Sequence, residues 1–223
     1  MSINLNQVTD TQTPTTGNLN INGQVTLPRT TNYGIQVDTA APTWGWRDIT
    51  SDITAKGNGV GNPSWQQYNG TSIYGYAMQA TKLNEVWINY HMPHDWVPGS
   101  DLYIHTHWSQ TTADAPNSVQ WFFDVLYAKG HQQQAFQNTV TPVNVIQACN
   151  ATVREHMIAE VQVSTAGAIG GNTLEVDGII LVRCYRNAGV GSDTSTQDAY
   201  LHFVDMHYQS TNMATKNKAP SFY

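Results

Sequence analysis

The sequence predicts an all-β protein, and three of its properties support this fold class. Charged residues make up only 12% of the 223 residues, about half of their share in ordinary globular proteins. The chain has 7 Trp and 11 Tyr and is rich in Thr, and these residue types favour strands. Strand-like runs alternate with turns rich in Gly, Pro, Asn and Asp, at roughly 71–80, 84–92, 100–109, 118–128, 138–147, 156–164, 174–186 and 199–209. Short strands at this spacing predict a jelly-roll-like β-sandwich.

The first 33 residues differ in composition from the rest. They hold few large apolar side chains and many Thr, Asn and Gly, so on their own they bury too little surface to fold. The apolar residues that do occur there alternate as in a strand, namely Leu19, Ile21, Val25 and Leu27. We therefore predict an extended N-terminal arm over 1–33 that contacts a neighbouring subunit or another protein, followed by a β-sandwich domain over 34–223.

The segment after the arm is predicted to contain a short strand, a turn at residues 44–46 and a Gly/Asn/Pro loop over 56–64. Long loops of this kind commonly make functional contacts, and aromatic residues are enriched at protein interfaces. Trp44 and Trp46 are therefore predicted contact residues together with the arm. Stacking of the loop tryptophans, including Trp65 and Trp96, on sugars remains open. A helical turn is expected at 151–156.

Two of the regular runs indicate where the core lies. In the run 118–128 one face is apolar throughout and is predicted to be buried; it consists of Val119, Trp121, Phe123, Val125 and Tyr127. The run 199–209 carries large side chains on both faces. We expect this strand to be covered on both sides, with a subunit interface as the second cover.

Histidines are concentrated in one part of the chain. Four of the eight lie within residues 91–107. His105 and His107 are two apart in a predicted strand, so both imidazoles point to one face and can converge. His202 and His207 are five apart and are expected on opposite faces.

The histidine pair has the start of a metal-binding motif but not the rest of it. Gly99, His105 and His107 match the opening of the first cupin motif, whose metal-binding versions add a Glu and a third His. Thr111 and Thr112 stand where the Glu is expected, and two imidazoles do not complete a mononuclear site. A cupin-like metalloenzyme is therefore the least favoured interpretation.

Two interpretations of the pair remain. His105 and His107 are ordinary hydrogen-bonding residues, or three chains bring six imidazoles together around one transition-metal ion on a three-fold axis. We favour the first and expect no cofactor, with metal ligation only if the pair lies on such an axis.

Charge and sequence motifs argue against several other functions. A net charge of −6 without a Lys/Arg cluster does not fit nucleic-acid binding. No apolar run approaches the ~20 residues of a membrane span, and the N-terminus has no signal-peptide pattern. Cys149 and Cys184 are expected to be buried free thiols, and no serine lies in a nucleophile elbow. We expect a non-enzymatic protein with no membrane partner.

Three segments, residues 27–48, 102–108 and 198–208, resemble those of virion structural proteins of tailed bacteriophages. The resemblance spans most of the chain. It implies a β-rich, often trimeric particle component without catalytic residues, either a capsid decoration (cement) protein or a part of a tail appendage. We expect a homotrimeric decoration protein that is made in the host cytoplasm and binds the major capsid protein on the virion surface. The alternative is a tail-fibre or receptor-binding protein that contacts host glycans.

Overall fold

The computed structural model describes residues 45–56 and 61–211. The predicted arm, with Leu19, Ile21, Val25 and Leu27, and the contact residue Trp44 lie outside this part of the chain. The described residues form strands and no helix, and none of them belongs to a helix long and apolar enough to cross a membrane. The strands are β1 (Gly45–Thr50), β2 (Ser64–Gln67), β3 (Tyr74–Met78), β4 (Leu83–His91), β5 (Tyr103–Ser109), β6 (Ser118–Ala128), β7 (Thr141–Ala148), β8 (Met157–Gln162), β9 (Ala168–Ile169), β10 (Asn172–Thr173), β11 (Ile179–Asn187) and β12 (Ala199–Ser210).

Ten of the strands form two antiparallel sheets that pack as a jelly roll, and β9 and β10 form a separate two-stranded antiparallel sheet. One sheet has the order β2-β3-β12-β5-β8, with β1 also paired to β12, and the other has the order β4-β11-β6-β7. The eight principal strands are β3 to β8, β11 and β12. When they are numbered one to eight along the chain, their order is 1-8-3-6 in the first sheet and 2-7-4-5 in the second, which is the jelly-roll order. These eight strands coincide with the eight predicted runs, so the predicted fold class is confirmed.

The core lies between the two sheets. The predicted inner face of β6 is confirmed, since its five apolar residues are 0–2% exposed. From the opposite sheet Trp108 meets Trp121 edge to face, with ring centroids 5.8 Å apart. Because side chains alternate along a strand, the neighbours of Trp108 on β5 point away from the core. The outer face of the six-stranded sheet therefore carries His105, His107 and Ser109 of β5.

The prediction that β12 has two apolar faces is wrong in part, because the strand contains a bulge. Its register with β5 shifts between Leu201 and Phe203, and an extra residue at a bulge reverses the alternation. Leu201 consequently shares the core with Val204 and Met206. On the outer face Phe203 packs against His107, with ring centroids 5.0 Å apart.

The segments before β3 also differ from their prediction. Gly45 and Trp46 begin β1 and do not form a turn, because residues 45–50 pair with 205–210 of β12. Ser64–Gln67 forms β2, paired with β3. Residues 151–156 form bends and a turn but no helix. The missed strands depend on partners that lie elsewhere in the chain, which local periodicity does not reveal.

Candidate functional site

The outer face of the six-stranded sheet carries a cluster of histidines and carboxylates. We define the histidine cluster as His105, His107, Glu160, Asp205 and His207. β5 lies between β12 and β8, so His105 is placed opposite Asp205 on one side and Glu160 on the other. His105 and His107 share this face, with ring centroids 6.2 Å apart.

Short contacts join the members of the cluster. Nε2 of His105 lies 2.5 Å from Oε2 of Glu160, and its Nδ1 lies 3.8 Å from Oδ1 of Asp205. Nε2 of His107 lies 3.4 Å from the same Asp205 oxygen. The His207 ring lies against that of His105, with centroids 3.8 Å apart and planes tilted by 58°, and its Nε2 pairs with Asp48. Asp205 is thus the point on which His105 and His107 converge.

Burial controls the charges of the cluster. Burial raises the pKa of the Asp205 carboxyl above its ordinary value, the charge of Asp48 adds to this, and the nearby histidines only partly oppose it. Burial lowers the pKa of His107 in spite of the Asp205 charge, and His156 and His105 lower it further. A neutral His107 imidazole keeps one nitrogen lone pair free to accept a proton or a metal ion.

The bulge in β12 corrects a second prediction. His202 was expected on the face opposite His207, but its Nε2 lies 2.7 Å from Oγ of Ser109, which alternates with His105 and His107 along β5. His202 is itself the extra residue of the bulge, since Leu201 pairs with Trp108 and Phe203 pairs with His107. Both histidines of β12 therefore lie on the outer face.

A second carboxylate–histidine cluster lies between strand ends. Asp177 has a positive φ of 60° and is contacted by Nε2 of three histidines: His91 at 3.3 Å, His94 at 3.0 Å and His131 at 2.6 Å. Burial alone would raise the pKa of Asp177, but the hydrogen bond from His131 and the charges of His94 and His91 lower it below its ordinary value. Sequence spacing did not reveal this cluster, since its members come from separate loops and strand ends.

An aromatic groove lies beside the histidine cluster on the same sheet. It has a volume of about 800 Å³ and is lined by Thr50, Ser51, Asp52, Ile53, Trp65, Ile73, Tyr74, Gly75, Tyr76, Leu201, His202 and Phe203. Trp65 and Tyr74 are 60% and 50% exposed, with nearly parallel rings 6.3 Å apart. Tyr76 meets Trp65 edge on at 4.8 Å. Such a surface can stack against the C–H face of a sugar ring.

The structure separates the tryptophans that the sequence grouped together. Trp46 and Trp65 are exposed, although they lie on strands and not in loops. Trp46 packs against Tyr103, with ring centroids 5.6 Å apart. Trp96 is buried in the core at 1% exposure, so it is unavailable for stacking on a sugar.

No family profile matches the sequence, and no curated protein is significantly similar to it. Among solved structures, the fold is similar to TmCBM61 in complex with β-1,4-galactotriose, with 8% identity, a TM-score of 0.29 and coverage of 72% of this chain and 86% of that chain. It is also similar to the CBM22-1-GH10 modules of Clostridium thermocellum endo-1,4-β-D-xylanase 10B complexed with xylohexaose, with 13% identity, a TM-score of 0.30 and coverage of 78% of this chain and 28% of that one. At these TM-scores the similarities do not bear on what this chain binds.

Proposed function

We propose that this chain is a non-catalytic structural protein of a tailed-bacteriophage particle, a decoration protein that binds the capsid as a homotrimer. The proposal rests on the position in the fold of the segments that resemble phage virion proteins. Residues 102–108 and 198–208, which resemble phage virion proteins, form β5 and β12, and these strands pair along residues 103–109 and 200–207. The resemblance thus covers the centre of one sheet.

Strand β1 supports a contact between subunits. Five of its six residues are exposed, and in the described part of the chain it pairs on one edge only, with β12. A strand with an unpaired edge offers backbone donors and acceptors to another chain. Trp46 lies on this strand, a short distance along the chain from the predicted arm over 1–33.

The proposed binding through an arm on each subunit of a trimer is consistent with two energetic effects. Ordering residues 1–33 on the capsid costs conformational entropy, which lowers the affinity of one arm. Three arms on one trimer raise the effective concentration of the second and third contacts, so avidity exceeds the affinity of a single arm. The proposed partner is the major capsid protein.

The test is attachment to particles that lack this protein. Full-length protein should co-sediment with such particles, and a variant without residues 1–33 should not, while both remain trimeric by light scattering. Trp46→Ala should weaken attachment, whereas Phe136→Ala, an exposed aromatic residue elsewhere, should leave it unchanged. Undiminished attachment of the truncated protein, or a monomeric full-length protein, would contradict the proposal.

A second function, glycan binding by a tail appendage, is favoured by one observation. Trp65 and Tyr74 expose stacked rings beside polar side chains in the groove. If the groove binds host glycans, Trp65→Ala should weaken glycan binding by about 2- to 12-fold, since one stacking ring contributes roughly 0.5–1.5 kcal/mol. Phe136→Ala is the control. A glycan array with no ligand for the wild-type trimer would exclude this second function.

A further inference from the structure

Three side chains of the histidine cluster have the spacing of metal ligands within one chain. A donor atom from each of His105, His107 and Asp205 lies within 4.8 Å of the other two. Oδ1 of Asp205 is 3.8 Å from Nδ1 of His105 and 3.4 Å from Nε2 of His107. Ligands bound tetrahedrally at about 2.0–2.2 Å are about 3.3–3.6 Å apart. We propose that these three residues bind one divalent transition-metal ion.

Two of the proposed ligand atoms, Asp205 Oδ1 and His107 Nε2, have no hydrogen-bond partner among the residues that the structure describes. The Asp205 side chain is only 4% exposed. In the described part of the chain, Asp205 Oδ1 and His107 Nε2 are buried atoms without a hydrogen bond. Leaving a buried polar atom unpaired is costly. A cation between these atoms supplies the missing partner of both.

The outer nitrogens of the two imidazoles are held by neighbours. His105 Nε2 is 2.5 Å from Glu160 Oε2, and His107 Nδ1 is 2.8 Å from His156 Nε2. Metal-binding histidines nearly always have the second ring nitrogen hydrogen-bonded, because that bond fixes the tautomer and the ring orientation. With the proton of His105 on the nitrogen that faces Glu160, the lone pair of its Nδ1 faces Asp205.

The ligand set selects the class of ion. Two imidazoles and one carboxylate suit Zn²⁺ and related first-row ions, whereas Ca²⁺ and Mg²⁺ prefer oxygen ligands alone. Besides Asp205, the carboxylates of Glu160 and Asp48 contact His105 and His207, and this negative charge near the cluster favours a divalent cation electrostatically. The site is complete in one chain, unlike the shared three-fold site that the sequence left open.

A neighbouring set of side chains is less suited. His105, Glu160 and His207 also place donor atoms within 4.8 Å of one another. Glu160, however, is 55% exposed and already bonded to His105, and His207 is paired with Asp48. Glu160 is therefore assigned as a positioning residue for His105, and Asp205 as the ligand.

Equilibrium dialysis of the full chain against Zn²⁺, followed by elemental analysis, tests the site. We expect one Zn²⁺ per chain. Asp205→Asn should weaken binding at least about 100-fold, and Glu160→Gln about 10–100-fold, as positioning residues do. Asp177→Asn is the matched control, since it alters the other carboxylate that three histidines contact, and it should leave Zn²⁺ affinity unchanged.

Four outcomes would overturn the assignment: no Zn²⁺ bound by the wild type, one ion per three chains, unchanged affinity of Asp205→Asn, or equal loss in Asp177→Asn. Circular dichroism checks that Asp205→Asn is folded. Should it be unfolded, Glu160→Gln decides, because this side chain is exposed. Co²⁺ then gives a second measurement. The visible absorption of Co²⁺ bound to the wild type should report four nitrogen and oxygen ligands, and this spectrum should change in Glu160→Gln. If Glu160→Gln changed neither the Co²⁺ spectrum nor the Zn²⁺ affinity, the proposal would be overturned.

Discussion

Asp193→Asn should be among the most destabilising polar substitutions in this chain, because Asp193 neutralises a fully buried arginine. Both side chains of the Arg186–Asp193 pair are 0% exposed. Nε and Nη2 of Arg186 donate to the carboxylate at 2.8 and 2.9 Å. The other N–H groups of Arg186 donate to backbone carbonyls of Met78, Ser195 and Gln197. Asn at 193 would keep the size of the side chain and remove its charge.

The expected loss follows from this burial. Removing one partner of a buried ion pair costs about 3–5 kcal/mol, because the other charge stays uncompensated. Domains are stable by about 5–15 kcal/mol, so the variant should lose about a fifth or more of a typical stability.

Urea unfolding at pH 7, followed by tryptophan fluorescence, measures this loss. The protein concentration is kept fixed, because the stability of an oligomer depends on it. The control is Lys56→Gln, which removes an ion pair to Glu85 at an exposed lysine and should cost less than about 1 kcal/mol. A loss below about 1 kcal/mol for Asp193→Asn would refute the reasoning.

Three further predictions concern other parts of the domain. The pKa of Asp177 is lowered in the folded protein, so its carboxylate stabilises the fold above its ordinary pKa and this contribution disappears as the pH falls through the lowered value. Asp177→Asn should therefore cost about 1–2 kcal/mol at pH 6 and little in strong acid, and equal costs at both pH values in urea titrations would argue against this. Burial raises the pKa of Cys184 and Cys149, so both thiols should resist a disulfide reagent until urea unfolds the chain; rapid labelling of native protein would be inconsistent. Gly178→Ala should cost about 1–3 kcal/mol, because a Cβ there would lie 2.5 Å from the Tyr127 ring, and an unchanged melting temperature would show that the ring can move.

The sequence predicted the eight principal strands because their signals are local. Alternation in β6 and the turns between runs depend only on neighbouring residues. β1 and β2 lack such alternation and form strands by pairing with β12 and β3. Their existence therefore depends on chain segments that a local pattern does not include.

The histidine cluster was predictable only in part. The two-residue spacing of His105 and His107 placed them on one face. The carboxylate that they contact, Asp205, comes from β12, far along the chain. The bulge after Leu201 then reversed the alternation that placed His202 opposite His207. Strand pairing and the bulge, both set by tertiary structure, thus determine the composition of the cluster.

The proposed function is that of a trimeric decoration protein of a phage head. A cryo-electron microscopy reconstruction of the particle tests it most directly. We predict density for the β-sandwich in threes on the outer surface of the head, with residues 1–33 in contact with the major capsid protein. Density for this chain on the tail, or a particle that contains none of it, would contradict the claim.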